Sequence, residues 1–213
     1  LHTLFTGLDL RRVRSVLFTH SHADHFYFDD LLLNAFPFNA GEGEWVDLYG
    51  NQKVCATLQP VGENTRYRMR VHPLELLEEV TIGGYRGIPL RAVHDRNEQC
   101  LLYSIGQGNK RFLYGNDTGF FPPDTMERIR GLRHDVISLD CTVGRDRDGG
   151  NHMGFADIAE MKERLLQNGS ADQNTRFVAH HFSHNCGYVY EDAARLLEPM
   201  GFECSYDGME LSF

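Results

Sequence analysis

The segment Thr19-His20-Ser21-His22-Ala23-Asp24-His25 gathers three imidazoles and a carboxylate within a few residues. Imidazole nitrogens and carboxylate oxygens suit zinc, iron or manganese. The apolar run Val13 to Phe18 before it reads as a buried strand. His20 and His22 stand two apart, so at a strand end they point the same way. Asp24 and His25 fall on the turn entering a helix and can face a second point in space. One cluster can therefore seed two adjacent metal sites. A polar strand end with solvated histidines is the bland alternative, but four ligand-type side chains rarely crowd together without a metal.

A dinuclear site needs about seven or eight ligands. His94 ends the apolar run Ile88 to Val93 at an expected strand end, where a lone histidine is more often a surface residue. Asp117 lies in Gly115-Asn116-Asp117-Thr118-Gly119, directly after the strand Phe112 to Tyr114. A carboxylate there can bridge two ions, or simply form a turn. His180-His181-Phe182-Ser183-His184 follows the strand Phe177 to Ala179. One of its histidines should be the last ligand, and spacing does not say which.

Two ions at such a site can hold a hydroxide between them, lower the pKa of its parent water and offset charge on a phosphoryl oxygen. The leaving oxygen then needs a proton, which a histidine supplies near working pH. His152, on a loop after Cys141 and just before a helix, is the candidate. A helix start near Gly154 would add partial positive charge for a phosphate. His184 is a second catalytic candidate, to contact the phosphate or hydrogen-bond a ligand. Asp95 either orients an imidazole or faces solvent. His2, His72 and His134 are assigned to structure or surface, and His180 points away from His181 if the backbone is extended.

The positioning elements alternate between strand-like and helical runs. Strands are expected at Val13 to Thr19, Trp45 to Tyr49, Glu79 to Ile82, Arg86 to Val93, Cys100 to Ile105, Arg111 to Tyr114, Val136 to Leu139 and Phe177 to Ala179. Helices are expected at Ala23 to Asn34, Gln52 to Leu58, Pro122 to Arg130, Phe155 to Leu166 and Tyr190 to Leu197. The tail Phe202 to Phe213 reads as a hairpin turning near Asp207-Gly208. Arg145 to Gly150 reads as a solvated polar loop. A β-rich middle flanked by strand–helix units suits sheets packed face to face with helices outside.

The length, 213 residues, fits one domain spanning 1–213. A formal charge of −9 opposes broad attraction to nucleic acid. No run approaches ~18 apolar residues, so no membrane helix is expected. Five widely spaced cysteines without a C-x-x-C pair read as reduced thiols of a cytoplasmic protein. The first strand delivers the metal motif almost at once, so further N-terminal strands are expected ahead of Leu1.

The ordered series His20-x-His22-x-Asp24-His25, His94, Asp117 in Asp-Thr-Gly, and His181-Phe-Ser resembles the metallo-β-lactamase superfamily. The resemblance implies an αββα sandwich of the α/β class, here without its N-terminal strands. It implies His20, His22 and His94 on one ion, Asp24, His25 and His181 on the other, and Asp117 as bridge. Within the superfamily the chain is most similar to the carbon–phosphorus lyase phosphodiesterase family. Asn151-His152, His181-Phe182-Ser183-His184 and Gly201-Phe202-Glu203 to Tyr206-Asp207-Gly208-Met209-Glu210 carry that similarity. It implies His181 as ligand, with His184 beside the site and His152 serving the phosphate. That family also carries an N-terminal cysteine cluster for a structural zinc, which none of the five cysteines here forms.

The expected activity is metal-dependent hydrolysis of a small phosphodiester, such as a cyclic ribose phosphate, with two divalent ions. Zinc is the first choice, with manganese and iron as alternatives. A transfer-RNA 3′-processing type endonuclease and a lactonase or thioesterase are the competing readings. The expected partner is the small substrate and not a membrane or nucleic acid, and a homodimer is compatible with the sequence.

Overall fold

The computed structural model describes residues 7–35, 44–144 and 150–213. Three parallel strands, β1 (Ser15–Leu17), β2 (Val46–Gly50) and β3 (Met69–Pro73), form a small sheet in the order β1-β2-β3. Helices α1 (Phe28–Leu32) and α2 (Gln52–Glu63) cover one face of it. Phe18, Phe26, Leu48, Val54, Leu58, Val61 and Met69 are buried together there. Asn51 starts α2 by accepting the Val54 amide at 2.9 Å, which satisfies one of the orphan donors of the first turn.

The larger sheet opens with the antiparallel strands β4 (Val80–Ile82), β5 (Tyr85–Arg91), β6 (Leu101–Gln107) and β7 (Lys110–Gly115). It continues in parallel through β8 (Val136–Asp140), β9 (Arg176–His180) and β10 (Glu203–Cys204). Helices α3 (Pro123–Arg128), α4 (Phe155–Gln167) and α5 (Tyr190–Leu197) belong to its outer side. The strand alternation in β6 shows the layering. Leu101 and Tyr103 join Tyr49 and Leu17 of the small sheet between the two sheets, whereas Leu102 packs with Ile158 and Met161 of α4. The expected αββα sandwich is the observed fold.

Several local expectations needed correction. The helix expected from Ala23 to Asn34 is only α1. Ahead of it, the His22 carbonyl accepts from the His25 and Phe26 amides at 3.0 and 2.8 Å, closing a turn, and Tyr27 is extended. Strand β3 escaped notice because it is polar where it is exposed: Arg70 and His72 both pair with Asp47 across the strand at 2.7 Å. The tail is not a hairpin. β10 runs parallel to β9 because α5 forms the crossover between them, and no strand follows Cys204 among the described residues. His2 and residues 145–149 of the polar loop lie outside the described residues. Among those described, no helix is long and apolar enough to cross a membrane.

The strand directions bring the chemistry together. β5, β7, β8 and β9 all point the same way, so the segments after them emerge at one edge of the large sheet. Those segments carry His94, Asp117 and His181, Asp140 is the last residue of β8, and the loop after β1 carries His20 to His25. Open α/β sheets place their ligand sites outside such strand ends.

His134 lies away from that edge and is completely buried. Its ring contacts the Ser104 hydroxyl at 2.8 Å and the Ser170 carbonyl at 3.0 Å. Burial lowers its pKa from 6.5 to about 4. The unfolded chain therefore binds this proton more readily than the folded one between those pH values, and stability falls as pH drops below 6.5. From pH 6.5 to 5 this residue should cost about 1.5 kcal/mol. Denaturant titrations at both pH values should show a smaller loss for His134→Gln than for the wild type; equal losses would refute this.

Candidate metal centre

Five imidazoles and two carboxylates from the loops after β1, β5, β7 and β9 converge at this edge. His20, His22 and His94 offer ligand atoms that all lie within 4.8 Å of one another. So do His20, His25 and Asp117, and so do Asp24, His25 and His181. The His94 Nε2 to His22 Nδ1 distance is 3.2 Å. The His25 Nε2 to Asp117 Oδ2 distance is 2.5 Å, and Asp24 reaches the same His25 nitrogen at 3.2 Å. His181 Nε2 lies 3.4 Å from Asp117 Oδ2. All seven expected ligand residues are thus brought together, with Asp117 in the middle.

Polar groups behind the rings turn them inward. His20 Nδ1 contacts the Thr19 hydroxyl at 3.0 Å, and His22 Nε2 contacts Asp95 at 3.3 Å. His94 Nδ1 contacts the Asn151 carbonyl at 3.3 Å, and His181 Nδ1 contacts the Thr142 hydroxyl at 2.8 Å. In each case the other ring nitrogen faces the cluster, the arrangement by which outer partners fix the tautomer of a ligating histidine. One buried nitrogen in the cluster, His20 Nε2, has no hydrogen-bond partner. Buried polar atoms are otherwise almost always paired. This orphan, at the convergence of nitrogen and oxygen donors, fits divalent metal.

The backbone is strained at the same place. Asp117 and His181 adopt left-handed φ angles of 54° and 62°. Non-glycine residues there cost roughly 1–3 kcal/mol each and persist only where the surroundings hold them. Asn116 anchors the Asp117 turn by bonding His180 and Ser138, both at 3.1 Å. Gly119 allows a close approach: a Cβ there would collide with the Gly150 carbonyl, just ahead of His152.

Electrostatics follow from burial and charge. Burial lowers the pKa of His20 to about 4, so it is neutral and able to ligate at neutral pH. Burial also lowers that of His94. The His25 pKa is raised by its hydrogen bond to Asp117. Burial opposes ionisation of Asp117, but the His25 hydrogen bond and the charges of His181, His25 and His94 outweigh it and hold its pKa at about 2.

His152 also belongs to this cluster. Its Nδ1 lies 2.9 Å from Asp140 Oδ2, and its ring is stacked on that of His181 with centroids 6.0 Å apart. Asp140 is fully buried. Its Oδ1 accepts from the Thr142 and Met153 amides at 3.0 Å, and its Oδ2 from the Thr142 hydroxyl at 3.2 Å. With its lone pairs occupied in this way, Asp140 is suited to orient His152 rather than to bind a metal. The α4 N-terminus is less open to a phosphate than expected. The Gly154 amide donates to Asp157 and the Phe155 amide to the Gly144 carbonyl. His184 is exposed in the turn His184–Cys186, with no hydrogen bond or ion pair to the cluster among the described residues. His180 points elsewhere, toward Asn116, as expected.

The sequence reading missed Asp140, Thr142, Asn116 and Glu98, and left Asp95 undecided. The available signal for Asp140 was a carboxylate ending the wholly buried strand β8. Glu98 holds the first motif in place. Its side chain is buried and accepts from Ser21 at 2.6 Å, Asn51 at 2.8 Å and Lys53 at 3.2 Å. Ser21 lies between His20 and His22, so Glu98→Ala should weaken metal binding about 10–100-fold. Competition with a chromogenic chelator measures this, and unchanged affinity would limit Glu98 to general stability.

A family model described as Beta-lactamase superfamily domain matches residues 3–182. The chain belongs to this superfamily. Comparison with proteins of curated function found no match. Among solved structures, a diphosphatase from the PhnP family is 26% identical, with a TM-score of 0.72 over 99% of this chain and 75% of that one. The metallo-beta-lactamase fold protein YhfI from Bacillus subtilis is 15% identical, with a TM-score of 0.72 over 97% and 80% of the two chains. The short form of human tRNase Z is 14% identical, with a TM-score of 0.65 over 99% and 83%. A metallo-β-lactamase fold implies divalent metal, in agreement with the orphaned His20 nitrogen.

Proposed function

We propose that this superfamily member is a phosphodiesterase that cleaves a small phosphodiester at a dinuclear centre. His20, His22 and His94 would hold one ion, Asp24, His25 and His181 the other, and Asp117 both; zinc suits these nitrogen and oxygen donors best. When bound, such a pair supplies Lewis acidity and an activated water. The observation that carries the phosphodiesterase reading is the Asp140–His152 contact of 2.9 Å beside the seven ligand candidates. A hydrolase that needed only metals would have no use for this additional carboxylate-backed imidazole.

Asp140 pairs with Nδ1 of His152 and orients the ring. His152 then donates its Nε2 proton to the departing oxygen and recovers a proton from solvent. The diphosphatase at 26% identity supports phosphoryl chemistry. The similarity to the carbon–phosphorus lyase phosphodiesterase family points the same way, and the charge of −9 favours a small substrate over RNA.

A hydrolysis panel on metal-replete protein tests the proposal. It comprises a bis-aryl phosphate diester, the mono-aryl phosphate, a cyclic nucleotide, a pre-tRNA and a lactone. Turnover of the diester and the cyclic nucleotide is expected. Turnover of the lactone alone, or of pre-tRNA alone, would replace the proposal with a lactonase or an RNA-processing enzyme.

A further inference from the structure

A cavity of about 430 Å³ opens beside His181 and is lined by Phe182, Tyr188, Val189, Tyr190, Tyr206 and Asp207, among others. Nothing in the metal chemistry requires these side chains. Among the described residues, Val189 is the most exposed large apolar side chain at 64%, and Tyr190 and Tyr206 are exposed at 47% and 56%. Three costly exposures on one wall mark a surface built to be covered.

The wall is also pre-positioned. Tyr190 is the first residue of α5, and Tyr206 sits in a turn closed by the Met209 amide donating to its carbonyl at 3.0 Å. Their rings meet edge to face with centroids 5.8 Å apart, and Tyr188 is anchored on Phe155 at 5.4 Å. An aromatic pair of this kind offers π-faces for a planar ring.

We infer that this cavity is a subsite for the nucleoside arm of a phosphodiester. The inference rests on the phosphodiesterase reading: His181 belongs both to the ligand cluster and to the cavity lining, so the cavity adjoins the place where a phosphate would sit. The Asp207 carboxylate on the wall disfavours a second phosphate there and accepts hydrogen bonds from sugar hydroxyls or a base amine. A planar, uncharged, donor-bearing arm matches that wall, whereas a bare cyclic ribose phosphate would leave the tyrosines uncovered.

Calorimetry on the metal-loaded full chain tests this with adenosine 5′-monophosphate and ribose 5-phosphate as probes. The nucleotide should bind about 5–100-fold more tightly, the range expected for stacking one base on aromatic side chains. Tyr190→Ala and Tyr206→Ala should remove most of that ratio, and Tyr206→Phe should retain it. Equal affinity for both probes, or a ratio unaffected by either alanine variant, would overturn the subsite. Turnover of adenosine 2′,3′-cyclic phosphate and glycerol 1,2-cyclic phosphate separates the two claims. Failure to cleave either diester counts against the phosphodiesterase, while the binding ratio still decides the subsite.

Discussion

His152→Ala should lower kcat on a diester with an alkyl or ribosyl leaving group by roughly 10²–10⁴-fold, the range for loss of a general acid. Metal content should not change, because His152 is held by Asp140 and stands outside the seven-ligand set. An aryl leaving group departs with little protonation, so the loss on aryl diesters should be smaller. Asp140→Ala should reproduce much of the effect by removing the carboxylate that orients the ring. Metal analysis beside kcat on the two leaving-group classes is the check. Equal losses on both classes would make His152 a phosphate-positioning residue, and full activity on every diester would remove it from the mechanism.

Asp117→Ala should be at least as damaging. Asp117 contacts His25 at 2.5 Å and His181 at 3.4 Å, and approaches His94 at 4.0 Å. Among the described residues, it is the one carboxylate that reaches both triads. Without it, the two sets of imidazoles lose their common anion and repel one another when protonated. Metal content should fall below two equivalents per chain, and diesterase activity should fall by more than about 10³-fold, since both Lewis acid and nucleophile depend on the pair. Elemental analysis after dialysis, with circular dichroism to confirm folding, measures this. Two retained ions would show that Asp117 is not the bridge.

The candidate ligand residues were legible because their chemistry is local. The segment His20 to His25 carries its meaning in spacing, and Asp117 and His94 are flagged by the apolar strands they terminate. The partners behind them were not legible. Asp95 bonds His22 across 73 positions, and Glu98 bonds Ser21 across 77. No local pattern announces such pairs, since they arise only when the two sheets stack. The same limit explains the helix misread at Ala23 to Asn34. Only Phe28–Leu32 of that stretch is helical, because bonds to the His22 carbonyl and the extended Tyr27 occupy its first turn. The tail failed differently: Asp207-Gly208 does form a turn, but the strand before it pairs with β9.

Metal reconstitution of stripped protein, read as hydrolysis of a bis-aryl phosphate against equivalents of zinc added, tests the central claim most directly. No turnover is expected in the stripped chain, with a rise that levels off at two equivalents. A plateau at one equivalent, or full activity without metal, would contradict a dinuclear phosphodiesterase.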